Sequence, residues 1–406
     1  MLLQRLSLTN YRNYVRLELS LPPGLTIVQG DNAQGKSNLL EAVAYLATSK
    51  SPRTSADAEL VNWLAQQEPF PYARLAADLK RGDRLERVDI TLMPGAAGNG
   101  GLRKQVRINN VPRRALDLVG LLLVVFFRPE DVDLVSGSPG ERRRYLDIAL
   151  CQIDHAYCRA LSQFNKALEQ RNALLRGLQN SRDAAAQLRF WDEKLAETAG
   201  LVVTRRQWLI NAIEREASLI HLDLSGGYER LQLRYLPSFD PGRPPQPGSP
   251  APEDEMAGVR YDDLTPEAVR AVYLSHLHHG RSRDLAAGLT LVGPHRDDLG
   301  FYLGERNLRG FGSRGQQRTA ALASKMAEIA IMTAVTGMAP LLLLDDVMSE
   351  LDANRRAMLR DALNSVPQAV VTTTDWQHFP PELLSRALRL HVHAGQLRLL
   401  EAEQGA

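Results

Sequence analysis

Residues 30–37 read Gly30-Asp31-Asn32-Ala33-Gln34-Gly35-Lys36-Ser37. Two glycines let backbone N–H groups fold around an anion, a lysine follows, and a hydroxyl closes the run. The pattern GxxxxGK[ST] cradles the phosphates of a nucleoside triphosphate when a strand precedes it and a helix follows. Leu25-Thr-Ile-Val28 supplies the strand and Ser37 to about Ser49 the helix. The backbone of Gly30 to Ser37 is expected to hold the phosphates, with Lys36 reaching the β and γ groups. The Ser37 hydroxyl would hold Mg²⁺, and the positive end of the helix dipole would strengthen the site. ATP and Mg²⁺ are the expected cofactors.

A second run, Leu341-Leu-Leu-Leu344-Asp345-Asp346, is an apolar strand ending in carboxylates. Beside a phosphate loop, Asp345 is placed to complete the Mg²⁺ shell and Asp346 to polarise an attacking water. Taken alone, the run reads as a buried strand with two solvated acids. A third run, Ser313-Arg314-Gly315-Gln316, opens a long helix that reaches about Thr336. A helix N-terminus with Ser and Gly can bind an anion, or Ser313 is a plain N-cap. One triphosphate needs one phosphate loop. A second anion site at this spacing before the acidic strand therefore points to a nucleotide shared between two copies of the chain.

The elements that must carry these residues follow from periodicity. Leu6 and Leu8, then Leu17, Leu19 and Leu21, alternate with polar residues as strands do. Val88, Ile90 and Leu92 alternate likewise, Val106-Arg-Ile108 ends at an Asn-Asn turn, and the glycines from Gly95 to Gly101 form a hairpin loop. From about Arg142 the period changes to three and four, through Leu146, Leu150, Ile153, Tyr157, Leu161, Phe164 and Leu168. After a break at Asn180–Asp183 it resumes through Leu188, Trp191, Leu195, Val202, Leu209 and Ile213. That predicts a helical hairpin with two helices of about 35 residues, reaching roughly 50 Å at 1.5 Å per residue. The proline-dense stretch Pro237–Pro252 is an exposed loop. Strand and helix then alternate again to a strand at Ala369–Thr373.

Together the three runs resemble the Walker A, signature and Walker B motifs of the ABC ATPases, and Ser349-Glu-Leu-Asp352 resembles their D-loop, with Ser349 and Asp352 its functional pair. Lys36 and Asp345 stand near opposite ends of the chain with the helical hairpin between them. This split resembles the SMC-like DNA-repair ATPases. Further runs, Asn10-Tyr-Arg-Asn-Tyr14, Phe127–Pro139 (FRPEDVDLVSGSP) and Gly293–Leu299 (GPHRDDL), closely resemble the bacterial recombination mediators of that family. The resemblance implies an α/β fold. An ABC-type ATPase head, a mixed sheet with a phosphate loop and an antiparallel β-subdomain, would carry an inserted α-helical arm. The expected boundaries are 1–127 for the first half of the head, 128–288 for the arm with its Pro-rich loop, and 289–406 for the second half.

The resemblance also implies an ATP-dependent homodimer that binds double-stranded DNA, and single strands too, at gap junctions. With RecR and RecO it would help load RecA recombinase in the cytoplasm during repair, replication restart and the SOS response. Departures from the general ABC pattern imply a weak ATPase. Arg314 stands where the signature has glycine, and Asp346 replaces a longer glutamate. Thr374-Asp375 occupies the switch-histidine region with His378 a few residues late, and no glutamine near Phe127–Asp131 serves as a Q-loop.

Composition sets the outer limits. The chain of 406 residues is 44% hydrophobic and 24% charged with a net charge of +2, the profile of a globular protein. Its longest apolar run, Leu118–Phe127, is short of the roughly 20 residues a spanning helix needs. The N-terminus has no secretory pattern, and two cysteines make no disulfide framework. Nearly neutral charge means DNA affinity must come from a local patch. Arg103, Lys104, Arg107, Arg113 and Arg114 cluster on a hairpin edge and read as DNA contacts or as a solvated edge. Arg142-Arg-Arg144 reads equally as a DNA contact or a solvated helix start, and Arg12 as a neighbour of the nucleotide or a surface arginine. Cys151 and Cys158 read as buried thiols two turns apart on one helix, and His276-Leu-His278-His279 as a polar helix end rather than a metal site. The alternative function is an ATP-dependent DNA-processing enzyme of the OLD type. That would need a further acidic cluster, and the few tens of residues after Thr373 leave little room for one.

Overall fold

The computed structural model describes residues 1–95, 102–178, 183–245 and 263–400. Most of the expected glycine loop at 95–101, the break between the arm helices and part of the Pro-rich loop lie outside the described residues. The chain forms two compact units, Met1–Glu130 with Glu328–Ala406, and Asp131–Ala327.

In the first unit, a six-stranded sheet runs in the order Gln396–Leu399, Leu388–His393, Gly24–Gln29, Gln368–Thr373, Leu341–Asp345, Val124–Phe127. All neighbours are parallel except the edge hairpin Leu388–Leu399. A second, antiparallel sheet orders Tyr14–Ser20, Leu2–Tyr11, Ala73–Arg81, Arg84–Pro94, Leu102–Ile108, Val111–Arg113. Its register lines up Leu17, Leu8, Leu75, Ile90 and Val106 as one buried row across five strands. The other face carries Arg5, Glu18, Arg74 and Arg107, the alternation of a sheet with one wet side. Helix Lys36–Thr48 packs against strands of both sheets, and Leu39, Leu40, Ala42, Val43, Tyr45 and Leu46 are buried around it. A helix apolar on nearly all sides needs cover on both.

The second unit holds the helices Pro139–Ile153, His155–Gly177, Ala184–Leu224 and Pro266–Ala287, with a small sheet ordered Arg306–Asn307, Asp298–Leu303, Leu231–Leu236. The expected hairpin is present, but its first limb is two helices. Asp154 breaks the limb: its backbone is extended, and its carboxylate caps the next helix by accepting from the N–H groups of Ala156 and Tyr157. Cys151 and Cys158 consequently sit on different helices, outside any disulfide, Cys158 buried and Cys151 half-buried. The return helix has 41 residues, about 60 Å long at 1.5 Å per residue. Inside the arm, the wholly buried Arg171 donates to Asp192 at 2.7 Å, and to Asp284 and Thr290 at 2.8 Å. Arg281 adds a bond of 2.7 Å to Asp192.

The two units divide after Glu130 and after Ala327. Residues 289–327 belong with the arm because Asp298–Leu303 pairs with Leu231–Leu236 and Asp297 accepts hydrogen bonds from Ser238 N and the Tyr235 hydroxyl. The second division falls inside helix Arg314–Thr336.

Candidate nucleotide site

The phosphate loop leaves the strand Gly24–Gln29 and turns into helix Lys36–Thr48. Glycine is required at both ends of it. A Cβ on Gly30 would lie 2.5 Å from the Val392 carbonyl oxygen. Gly35 has φ +119°, and its Cβ would lie 2.6 Å from Asn13 Nδ2. The loop is braced from outside as well. Asn13 Nδ2 donates to the Gln34 carbonyl at 2.9 Å, and the Tyr14 hydroxyl to the Gly35 carbonyl at 2.9 Å. The hairpin tip adds Ala394 N donating to Gln34 Oε1 at 2.7 Å and Gly395 N to the Gln34 carbonyl at 3.0 Å. Arg12 is not a free surface group. It forks onto the fully buried Glu41 at 2.9 and 2.8 Å and so fixes the Asn10–Tyr14 turn to the helix.

Lys36 is 6% exposed, and its ammonium donates to the carbonyls of Gly30 (2.6 Å) and Asp31 (3.0 Å). Burial pulls its pKa below the ordinary lysine value, while Asp346, Asp345 and Asp31 push it back up. Ser37 Oγ donates to Asp345 Oδ1 at 2.9 Å. Ligands at neighbouring corners of a Mg²⁺ octahedron lie about 2.9 Å apart, and both oxygens are the hard donors Mg²⁺ prefers. Asp346 follows the strand in the left-handed region, φ +51°. Its Oδ1 is buried without a hydrogen-bond partner. Burial raises its pKa above the ordinary carboxylate value, Lys36 opposes that and Asp345 adds to it. The structure thus brings Gly30 to Ser37, Asp345 and Asp346 together in one unit. Ser349 Oγ donates to the Asp346 carbonyl at 2.7 Å, and Asp352 caps helix Ala353–Ser365 by accepting from Arg355 N at 2.9 Å. His378 Nδ1 lies 3.3 Å from Thr373 Oγ1.

Ser313 and Gln316 belong to the second unit and form a reciprocal cap. Ser313 N donates to Gln316 Oε1 at 2.9 Å and Gln316 N to Ser313 Oγ at 3.2 Å. Gln316 Nε2 also donates to Glu229 at 2.6 Å. Ser313, Arg314 and Gly315 are exposed residues.

The basic candidates divide. Arg103, Arg107, Arg113 and Arg114 are exposed, Arg114 paired with Asp117 at 3.3 Å. Lys104 points inward. It donates to the Ser49 carbonyl at 2.7 Å, pairs with Asp57 at 3.0 Å and lies over the Tyr45 ring. The Arg142–Arg144 run divides as well, with Arg144 exposed. Arg142 is buried on Asp298 at 2.6 and 2.9 Å, and Arg143 donates to the Asp297 carbonyl at 2.8 Å. His276 lies within helix Pro266–Ala287, its Nε2 3.2 Å from the Arg243 carbonyl.

Sequence reading passes over three contributors: Asn13 with Tyr14, the Ala394-Gly395 hairpin tip, and Thr372. Three threonines in a row at a strand end, two of them completely buried, are the signal for the last.

A phosphate loop whose serine meets the strand-end aspartate, split by an inserted helical unit, defines an SMC-type ABC ATPase head. The model of the RecF/RecN/SMC N terminal domain matches residues 2–386, and a solved Smc head at 16% identity shares the fold with a TM-score of 0.50. Within that class the chain belongs to the RecF family. It is 42% identical to the DNA replication and repair protein RecF of Chloroflexus aurantiacus, over 98% of this chain and 99% of the relative. The RecF of Agathobacter rectalis is 35% identical over 99% of this chain and the whole of its own. A solved structure of the recombination mediator protein RecF-ATPrS in the RecFOR pathway aligns with a TM-score of 0.81 at 30% identity, covering 98% of both chains.

Proposed function

We propose that this chain is an ATP-operated clamp in DNA recombination and repair. It binds ATP in the Gly30–Ser37 loop, dimerises through the nucleotide and, as a dimer, binds duplex DNA at gap junctions. With RecR and RecO it then helps load RecA recombinase, on the chromosome and hence in the cytoplasm. The observation that carries this reading is the pairing of a complete phosphate site with a second, solvent-exposed helix start at Ser313. A solvent-facing N-terminus suits the γ-phosphate held by another copy.

Ser37 Oγ and Asp345 Oδ1 would hold Mg²⁺, which when bound supplies charge neutralisation across the β and γ phosphates. Lys36 and the loop N–H groups bind and orient the phosphates. Asp346, half-buried with its Oδ1 covered and pushed toward the protonated side, would take a proton from water as the water oxygen bonds to the γ-phosphorus and the bond to the β–γ bridging oxygen breaks. An aspartate reaches one methylene less far than a glutamate, so turnover is slow and ATP acts mainly as a dimerisation clamp. The exposed arginines Arg103, Arg107, Arg113 and Arg114 supply phosphate contacts to DNA, and two copies side by side double them.

Ser313→Arg tests this. ATP binding by the monomer should persist, since the loop is untouched, while sedimentation with ATP and Mg²⁺ should show no dimer. DNA binding should weaken, with a shallower salt slope. A full ATP-induced dimer of Ser313→Arg would reduce Ser313 to a helix cap and remove the shared site.

A further inference from the structure

Thr372 lies opposite Asp345 in the parallel register of two central strands and is completely buried. Its hydroxyl touches both acidic residues of the site. It donates to Asp345 Oδ1 at 2.8 Å and accepts from the backbone N–H of Asp346 at 3.0 Å. The same Asp345 oxygen accepts from Ser37 Oγ at 2.9 Å. One unbroken chain of hydrogen bonds thus runs Ser37, Asp345, Thr372, Asp346.

The second of those bonds is not an ordinary ladder bond. Asp346 stands past the strand, at φ +51° and ψ +23°. Aspartate is one of the few non-glycine residues that visit this region, and it stays there where the surroundings fix it. The N–H it turns inward needs a partner, since an orphaned buried donor is rarely tolerated. Thr372 supplies one. Valine would fill the same space and suit a strand as well, so what threonine adds is the hydroxyl. Its β-branch limits χ1 and thereby fixes the direction of that oxygen.

We infer that Thr372 is a positioning residue. Its hydroxyl locks the left-handed turn at Asp346 and the orientation of Asp345 Oδ1 as one unit, so that the metal-binding oxygen and the water-orienting carboxylate are aimed together. The inference rests on the roles of Asp345 and Asp346 given above.

The experiment compares Thr372→Val with Thr372→Ser. Thr372→Val should bind a fluorescent ATP analogue in EDTA within twofold of the parental protein. It should lose most of the gain in affinity that Mg²⁺ confers, and its single-turnover hydrolysis at saturating ATP should fall tenfold or more. Thr372→Ser, which keeps the hydroxyl and drops the methyl, should restore both within threefold. If Thr372→Val is too unstable to purify, Thr372→Ala carries the same expectations. Parental turnover and Mg²⁺ response in the Val or Ala variant would overturn the role of Thr372. Equal damage in Thr372→Ser would overturn it too, because packing of the methyl would then be the cause. A parental protein with no hydrolysis above the Lys36→Met background would instead remove the hydrolysis reading, and the positioning role with it.

Discussion

Replacing Asp346 by asparagine separates holding the nucleotide from cleaving it, and the backbone says why asparagine is the right replacement. At φ +51° an alanine would be strained by about 1–2 kcal/mol, whereas asparagine visits the left-handed region with little penalty. The side chain keeps its shape, and the buried Oδ1 that now lacks a partner stays an acceptor. Removing the charge ends the repulsion from Asp345 and the cost of burial, and gives up the attraction of Lys36. These oppose one another, so fold stability should move by less than about 1 kcal/mol, within the range of a surface substitution. Loss of a positioned base lowers a rate by roughly 10²–10⁴, which is about 3–5 kcal/mol of barrier. Single-turnover phosphate release should fall by that factor, while sedimentation with ATP should show a dimer that forms and does not decay. Asp346→Ala should show the same chemical loss with a lower melting temperature. Asp346→Asn hydrolysing ATP within threefold of the parental rate would mean that another group orients the water.

Lys36→Met removes the cation that now bridges two loop carbonyls at 2.6 and 3.0 Å, and should weaken ATP binding by about a hundredfold or more in calorimetry. A dissociation constant within threefold of the parental value would remove the loop assignment. Lys36→Arg keeps the charge but not the compact fit, so binding should survive while turnover fails. Arg171→Met leaves the buried Asp284 without its cation and Asp192 with Arg281 as its remaining guanidinium, and should cost about 3–5 kcal/mol. Scanning calorimetry should place the arm transition roughly 10 °C lower, with ATP affinity unchanged, and a shift under 2 °C would show the network to be dispensable. His295 is held neutral by burial and by Arg296, Arg143 and Arg206, its pKa lowered to about 4. In the unfolded chain it takes up a proton near pH 6.5, so its share of arm stability is complete above that pH. About 3 kcal/mol should drain away as the pH falls toward 4. His295→Gln should flatten that stretch of the pH–stability curve; an unchanged curve would assign the acid sensitivity elsewhere.

The parts of the site that could be read from sequence are those built from contiguous residues under strong local rules. Glycines at 30 and 35 stand at fixed spacing before Lys36 and Ser37, and Leu341–Leu344 is a contiguous apolar run because the strand is buried. The parts that could not be read depend on partners far away in the chain. Arg142 has the composition of a surface helix start and becomes core only because Asp298 arrives opposite it. Lys104 is a different case: it alternates out of step with its exposed neighbours Arg103 and Arg107, so its inward turn was legible from period two. The stop at Asp154 hides in a helical periodicity that runs on unbroken, because the helices on either side of it both bury apolar faces in the arm. The turn at Ala394-Gly395 needs positive φ at both residues, and alanine is a poor advertisement for that.

The strand that leads into the phosphate loop has a consequence for how the protein is made. Gly24–Gln29 is flanked by Gln368–Thr373 on one side and Leu388–His393 on the other. Neither neighbour exists while the first nine-tenths of the chain is on the ribosome. At 5–20 residues per second the wait is on the order of half a minute. Over that time Leu25, Ile27 and Val28 have two open edges, the state most apt to pair with the wrong strand. The arm is a single continuous stretch, Asp131–Ala327, and can fold as it emerges. The head cannot complete its central sheet until then, and its loop is braced by Val392, Ala394 and Gly395. A chain cut short before residue 388 would carry every motif that identifies the nucleotide site and lack the hairpin that braces its loop.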